Sequence, residues 1–104
     1  MTQQTKELIK RMLQNYCALH GSGAARICGS TEKAKLWRAA IDEALDYCDR
    51  RHPMRAQLLR VKYIAGATEE RTMKHMGVNR TTYQKHRAEA LSTVLEFAAR
   101  RGLI

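Results

Sequence analysis

Thr68-Glu69-Glu70-Arg71-Thr72-Met73-Lys74-His75-Met76-Gly77-Val78-Asn79-Arg80-Thr81-Thr82-Tyr83-Gln84-Lys85-His86-Arg87-Ala88-Glu89-Ala90-Leu91 is the stretch that decides the fold. The Thr68 hydroxyl can accept from free amides of a helix's first turn, and Glu69 and Glu70 follow where the helix dipole favours negative charge. That helix runs to about Met76, where Gly77 supplies the left-handed backbone for a tight exit. Val78 is an apolar plug for the corner, and Asn79 caps a second helix starting at Arg80. The pattern is helix, short turn with Gly, helix. Met73, Met76, Val78 and Tyr83 are spaced to share one small core between two crossing helices, which leaves Arg80, Thr81, Gln84, Lys85 and Arg87 mainly on other faces.

Caps alone mark any helical protein, but a Gly-Val-Asn corner followed by a basic, amide-bearing helix is more specific to DNA binding. Residues 58–95 resemble region 4 of bacterial sigma factors (the sigma-70 type), and more closely phage transcriptional regulators of the ArpU/RinA type. Met76-Gly77-Val78-Asn79, Thr82-Tyr83 and Ala90-Leu91 match that pattern without a gap, while Leu59, Tyr63 and Ile64 match its preceding helix more loosely. Thr72 and Met73 depart from it, standing where the sigma pattern prefers an Ile-Ala pair, which implies a different packing of the first helix. Residues 1–53 are covered only by analogy. The resemblance implies a bacteriophage late-gene regulator whose recognition helix, starting at Arg80, lies in the major groove. On that basis Arg80 and Lys85 are candidates to donate to guanine, Gln84 to bond adenine, and Thr81 to meet a base or a thymine methyl. Lys74, Asn79, Thr82, His86 and Arg87 are the candidates for phosphate, which positions without specifying.

The totals agree. At 104 residues the chain has the size of one domain and can bury roughly two-thirds of its unfolded surface without disulfide or metal. Helix formers dominate, there is a single Pro, and no stretch alternates apolar and polar residues, so an all-α fold of about five helices is expected. A net charge of +9 favours a nucleic acid or an anionic membrane. Residues 1–53 carry nine Lys and Arg against six Asp and Glu, and residues 54–104 carry ten against four. The excess therefore gathers in the half that holds the helix-turn-helix. Met1–Lys10 is polar and unlike a signal peptide, no apolar run spans a membrane, and three irregularly spaced cysteines suit a reducing cytoplasm.

Outward from the motif, Lys6 to about His20 reads as an amphipathic helix with Leu8, Met12, Tyr16 and Leu19 on one stripe and Ile9 and Leu13 beside it. Residues 21–31, with three glycines, read as a flexible connection joining the two helices of an N-terminal pair, residues 1–52. They lack the Gly-Lys-Ser/Thr ending of a phosphate-binding loop. Ser30 or Thr31 caps the next helix, Glu32 to about Arg51, which buries Trp37, Ile41, Ala44, Leu45 and Cys48. Its Asp42, Glu43, Asp46 and Asp49 form an acidic face. His52-Pro53 marks a boundary, and residues 53–104 form the helix-turn-helix part. A third helix from Pro53 to Ala65 is expected to be central to the core and to end at Gly66. The helix from Arg80 continues through Leu91, Val94, Leu95 and Ala98.

Catalytic chemistry finds little support. Cys17-x-x-His20 and Cys48-x-x-x-His52 have zinc-ligand spacings, but they come late in two successive helices and fall at opposite ends of an antiparallel pair. His75 and His86 flank the basic helix as surface or phosphate contacts rather than general bases. The expectation is a binding protein, not an enzyme, without metal or cofactor. Its partner is double-stranded DNA, with no membrane, and a homodimer contacting itself through Leu8–Leu19 and Val94–Ile104. RNA polymerase is a possible further partner, met through the acidic helix, and a sigma-like docking module is accordingly the first alternative. A terminase-type phage packaging adaptor is the second.

Overall fold

The computed structural model describes residues 1–21 and 23–104, all of whose regular structure is helical. Helix α1 spans Gln3–Gln14 and starts earlier than the apolar stripe requires, because the Thr2 hydroxyl accepts from the Thr5 amide at 3.1 Å. It also stops early. At the C-cap, Asn15 donates to the Arg11 carbonyl twice, from its backbone amide at 3.1 Å and from its side chain at 2.8 Å, a local bonding pattern that favours ending a helix. The chain then tightens into a 3₁₀ turn over Tyr16–His20, where the expected helix simply continued. Ile9, Met12, Leu13 and Leu19 are buried, with Leu8 and Tyr16 half-buried beside them.

The connection expected to be a flexible loop over residues 21–31 instead holds helix α2, Ala24–Cys28. Ala-Ala-Arg-Ile-Cys is a helix-forming run once glycines bracket it. Ala24 is buried, the Arg11 guanidinium donates to the Ile27 carbonyl at 3.2 Å, and Cys28 packs against Met12 with sulfurs 3.6 Å apart. Gly29 leaves α2 at φ 89°. Ser22 of that connection lies outside the described residues.

Helix α3, Thr31–Arg51, is capped by Ser30, whose hydroxyl accepts from the Lys33 amide at 3.1 Å. The expected stripe of Trp37, Ile41, Ala44, Leu45 and Cys48 is buried, joined by Ala34 and Ala40. Pro53 then opens helix α4, Pro53–Leu58, and the chain widens into a π-helical turn over Leu59–Ile64 before Gly66. The expected continuous α-helix thus changes its winding at Leu59. Wider turns place residues four and five apart on one side, which lets Leu59 share a face with both Tyr63 and Ile64. Leu58, Leu59 and Tyr63 are buried and Ile64 packs against them.

Helices α5, Glu69–Met76, and α6, Arg80–Arg100, complete the chain. At about 1.5 Å per residue α6 is roughly 30 Å long, and it packs on α1, α3 and α4. Tyr47 of α3 meets Phe97 of α6 with ring centroids 5.8 Å apart. The buried residues of all six helices form one continuous core. Of the surfaces expected to join two copies, Ile9, Met12, Leu13, Leu19, Val94 and Ala98 are buried within the chain, because α1 packs on α6 and on the π-helical turn, the 3₁₀ turn packs on α3, and α6 packs on α3 and α4. Among the described residues no helix is long and apolar enough to cross a membrane.

Candidate nucleic-acid interface

The corner between α5 and α6 is built as its residues dictate. The Thr68 hydroxyl accepts from the Arg71 amide at 3.2 Å, and the Asn79 side chain accepts from the Thr82 amide at 2.9 Å. Gly77 sits at φ 68° and ψ 35°. Its amide donates to the Lys74 carbonyl and the Val78 amide to the Met73 carbonyl, each at 3.2 Å. This pair of bonds satisfies the last carbonyls of α5 and is accompanied by packing of Val78 and Met73 on the core. Tyr83 and Met76 are buried under the corner. Thr72 is fully buried as well, with its hydroxyl donating to the Thr68 carbonyl at 2.8 Å. That bond satisfies the hydroxyl locally, which lets a Thr occupy a fully buried position.

With Tyr83, Ala90, Leu91 and Val94 turned inward, the first turns of α6 present Arg80, Thr81 and Lys85 to solvent, with Gln84 half-buried beside them. These are the four expected base-reading residues, and they share one face. The expected phosphate contacts divide. Lys74 is exposed on α5 with Arg71 and His75, and the three line a shallow hollow with Val61 and Ala67. Asn79 and Thr82 are joined in the cap. His86 is half-buried, its Nδ1 shielded, in a small hollow with His52, Met54, Arg55 and Glu89. Arg87 is half-buried too, with Nη1 3.6 Å from Glu69. Glu69 also meets Arg80 at 3.4 Å. Sequence reasoning gave Glu69 only a dipole role; its reach across the corner depends on the crossing of two helices and leaves no local signal.

Ion pairing sorts the remaining cations of the basic half. Arg55 meets Glu89 at 2.7 Å, Arg60 meets Asp49 at 2.6 Å and Arg100 meets Glu96 at 2.5 Å. Arg101 donates to Glu43 across to α3. The Arg55 bond holds the Glu89 carboxyl below the usual carboxylate range, and the Arg60 bond does the same for Asp49. Among the described residues, Arg71, Lys74 and Lys85 are the cations of α5 and α6 without an acidic partner.

The acidic face of α3 is likewise engaged. Asp42 accepts from the Tyr16 hydroxyl and lies 3.8 Å from Arg38, Asp46 pairs with Arg50 at 2.9 Å, and Glu43 and Asp49 take Arg101 and Arg60. The four carboxylates that suggested a basic protein partner therefore already hold cations of this chain. Burial, then the Asp42 bond, push the Tyr16 hydroxyl up to about 12.

Cys48 is buried among core residues and Cys17 is exposed on the 3₁₀ turn, so the two zinc-like pairs begin from quite different environments. Comparison of the chain with protein-family models, with curated proteins and with solved structures finds no match.

Proposed function

We propose that this chain is a sequence-specific DNA-binding regulator of transcription, of the kind represented by phage late-gene regulators, and that it acts by binding rather than catalysis. The observation that carries the reading is the outward face of α6. Arg80, Thr81, Gln84 and Lys85 project together from a helix start fixed by the Asn79 cap and the Gly77 corner. These side chains supply the donors and the amide that distinguish base edges in the major groove. Arg71 and Lys74 on α5 form no ion pair within 4 Å among the described residues, and so suit the flanking phosphates. A single helix reads only a few base pairs, so the reading includes a second copy on a neighbouring half-site. The sigma-like docking alternative, with RNA polymerase as partner, is the weaker one because its acidic face is occupied internally.

Selection of bound duplexes from a random pool supplies the preferred site. On that site Arg80→Ala and Gln84→Ala should each cost about 1–3 kcal/mol, with little effect on random DNA. Lys74→Ala should weaken all duplexes alike and reduce the salt slope by about one. Tyr83→Ala is the structural control, lowering the melting temperature as well as binding, since it empties a fully buried position. Unchanged site preference in folded Arg80→Ala and Gln84→Ala would move the docking module ahead.

A further inference from the structure

Glu69 stands at the first position of α5, eleven residues before Arg80, yet its carboxylate reaches both Arg80 and Arg87. The two arginines differ in setting. The Arg87 side chain is 25% exposed and its Nε is buried, whereas the Arg80 side chain is 60% exposed. Arg87 is thus the inner partner, beside the buried Tyr63 and Tyr83 rings whose hydroxyls feel the Glu69 and Arg87 charges. Arg80 is the outer partner, on the reading face. Both ends of the Glu69–Arg80 link spring from capped backbone: Thr68 fixes the start of α5, and Asn79 fixes the start of α6.

A guanidinium carries five donors in a planar fork. With Nη1 directed at Glu69, the edge formed by Nε and Nη2 remains for a guanine, whose O6 and N7 accept a bidentate pair. An arginine without that tether at an exposed helix start would turn to the nearest phosphate, where it holds without reading.

We infer that Glu69 is the specificity-positioning residue of this face, orienting the Arg80 guanidinium towards a base edge and withholding it from the phosphate backbone. Its role rests on the DNA-reading function proposed above. As an anion at the rim of the interface, it also opposes indiscriminate binding.

The test is Glu69→Gln in the full chain, measured on the selected duplex and on random duplex of equal length across a salt series. The ratio of the two affinities should fall roughly tenfold, within the range of one bidentate contact. Binding to random duplex should tighten, with a salt slope steeper by about one as Arg80 turns to phosphate. In an Arg80→Ala background Glu69→Gln should leave the ratio unmoved. If Glu69 only neutralises Arg87, the substitution lowers the melting temperature and affects both duplexes alike in either background, which overturns the inference. Should Glu69→Gln fail to fold because Arg87 loses its counter-charge, the comparison is made in an Arg87→Met background, where no buried cation is stranded. A ratio equal to that of Arg87→Met alone overturns the role just as well. Wild-type chain with no preferred duplex would sink the DNA-reading function itself; a wild-type preference that Glu69→Gln leaves intact would sink only the role of Glu69.

Discussion

Substituting Gly77 probes the corner without touching any proposed DNA contact. Its φ of 68° lies in the left-handed region, and a Cβ built there meets nothing within 4 Å. Steric overlap therefore adds nothing, and the cost of Gly77→Ala is conformational. An L-residue in that region costs roughly 1–2 kcal/mol, offset by about 0.4–1 kcal/mol because alanine also restricts the unfolded chain. The net loss should be close to 1 kcal/mol. At about 2.1 cal/mol/K per residue, a chain of this length should then melt roughly 4–5 °C lower. Asn tolerates the left-handed region, so Gly77→Asn should lose less than Gly77→Ala. Gly77→Val should lose most, because β-branching makes positive φ a genuine outlier. Urea titration of the series reports these differences as shifts in midpoint at constant slope. Gly77→Ala as stable as wild type, or Gly77→Asn below it, would refute the left-handed corner and with it the geometry assigned to α5 and α6.

Other consequences are measurable in the same material. If the basic half neutralises about five to seven phosphates, the logarithm of the DNA association constant should fall with the logarithm of salt at a slope of roughly −5 to −6, and a slope near zero would remove the nucleic-acid reading. Arg55→Ala should cost about 1–2 kcal/mol in urea unfolding, because it cuts a charge-assisted bond between α4 and α6 from a largely buried guanidinium; a loss within error would show that link to be idle. Alkaline stability follows from five groups whose burial pushes their pKa up: the Cys28 and Cys48 thiols, the Tyr83 hydroxyl, and the Tyr16 and Tyr63 hydroxyls, the last two pushed up to about 12. Each binds its proton more tightly in the folded chain, so its contribution is complete below its unfolded value and is lost as pH rises. Melting temperature should decline from pH ~8.5 with the two thiols, and further between about 10 and 12 with the tyrosines; replacing Cys28 and Cys48 together by Ala should delay the onset, and an unchanged onset in that double variant would exclude the thiols.

Much of the architecture was legible because it is local. Ser30, Thr68, Asn79 and Gly77 act within one turn of their own position, and the stripe from Trp37 to Cys48 repeats at helical spacing along one segment. The missed features are those set by competition or by distance. Asn15 adds a side-chain bond to the Arg11 carbonyl where α1 ends, and no periodicity reveals that stop. The α2 segment looked like a linker because its glycines dominated the reading, yet the residues between them are held by Arg11 and Met12 of a different helix. The four proposed reading residues of α6 were legible as positions of its first two turns that flank Tyr83, the one residue there that the core claims. Which cations stay available was not legible, because the partners of Arg87, Arg60 and Arg101 lie 18, 11 and 58 residues away.

That pairing pattern changes what a net charge of +9 means for recognition. A cation held against a carboxylate contributes little field beyond a Debye length of about 8 Å, so far-field attraction comes mainly from charges without internal partners. Asp42, Asp46, Asp49 and Glu43 of α3 are joined to Arg38, Arg50, Arg60 and Arg101, which makes that face close to neutral despite its charge density. Arg71, Lys74 and Lys85 lie instead around the α5–α6 corner and form no ion pair within 4 Å among the described residues. On the proposed DNA-binding function, attraction and reading would fall to different side chains: the lysines and Arg71 would supply a field that any duplex feels, while Arg80, paired with Glu69, would contribute less to the field and more to geometry. A surface arranged in this way gains discrimination at some cost in raw affinity, the balance required where a few correct base pairs compete with a large excess of non-specific DNA.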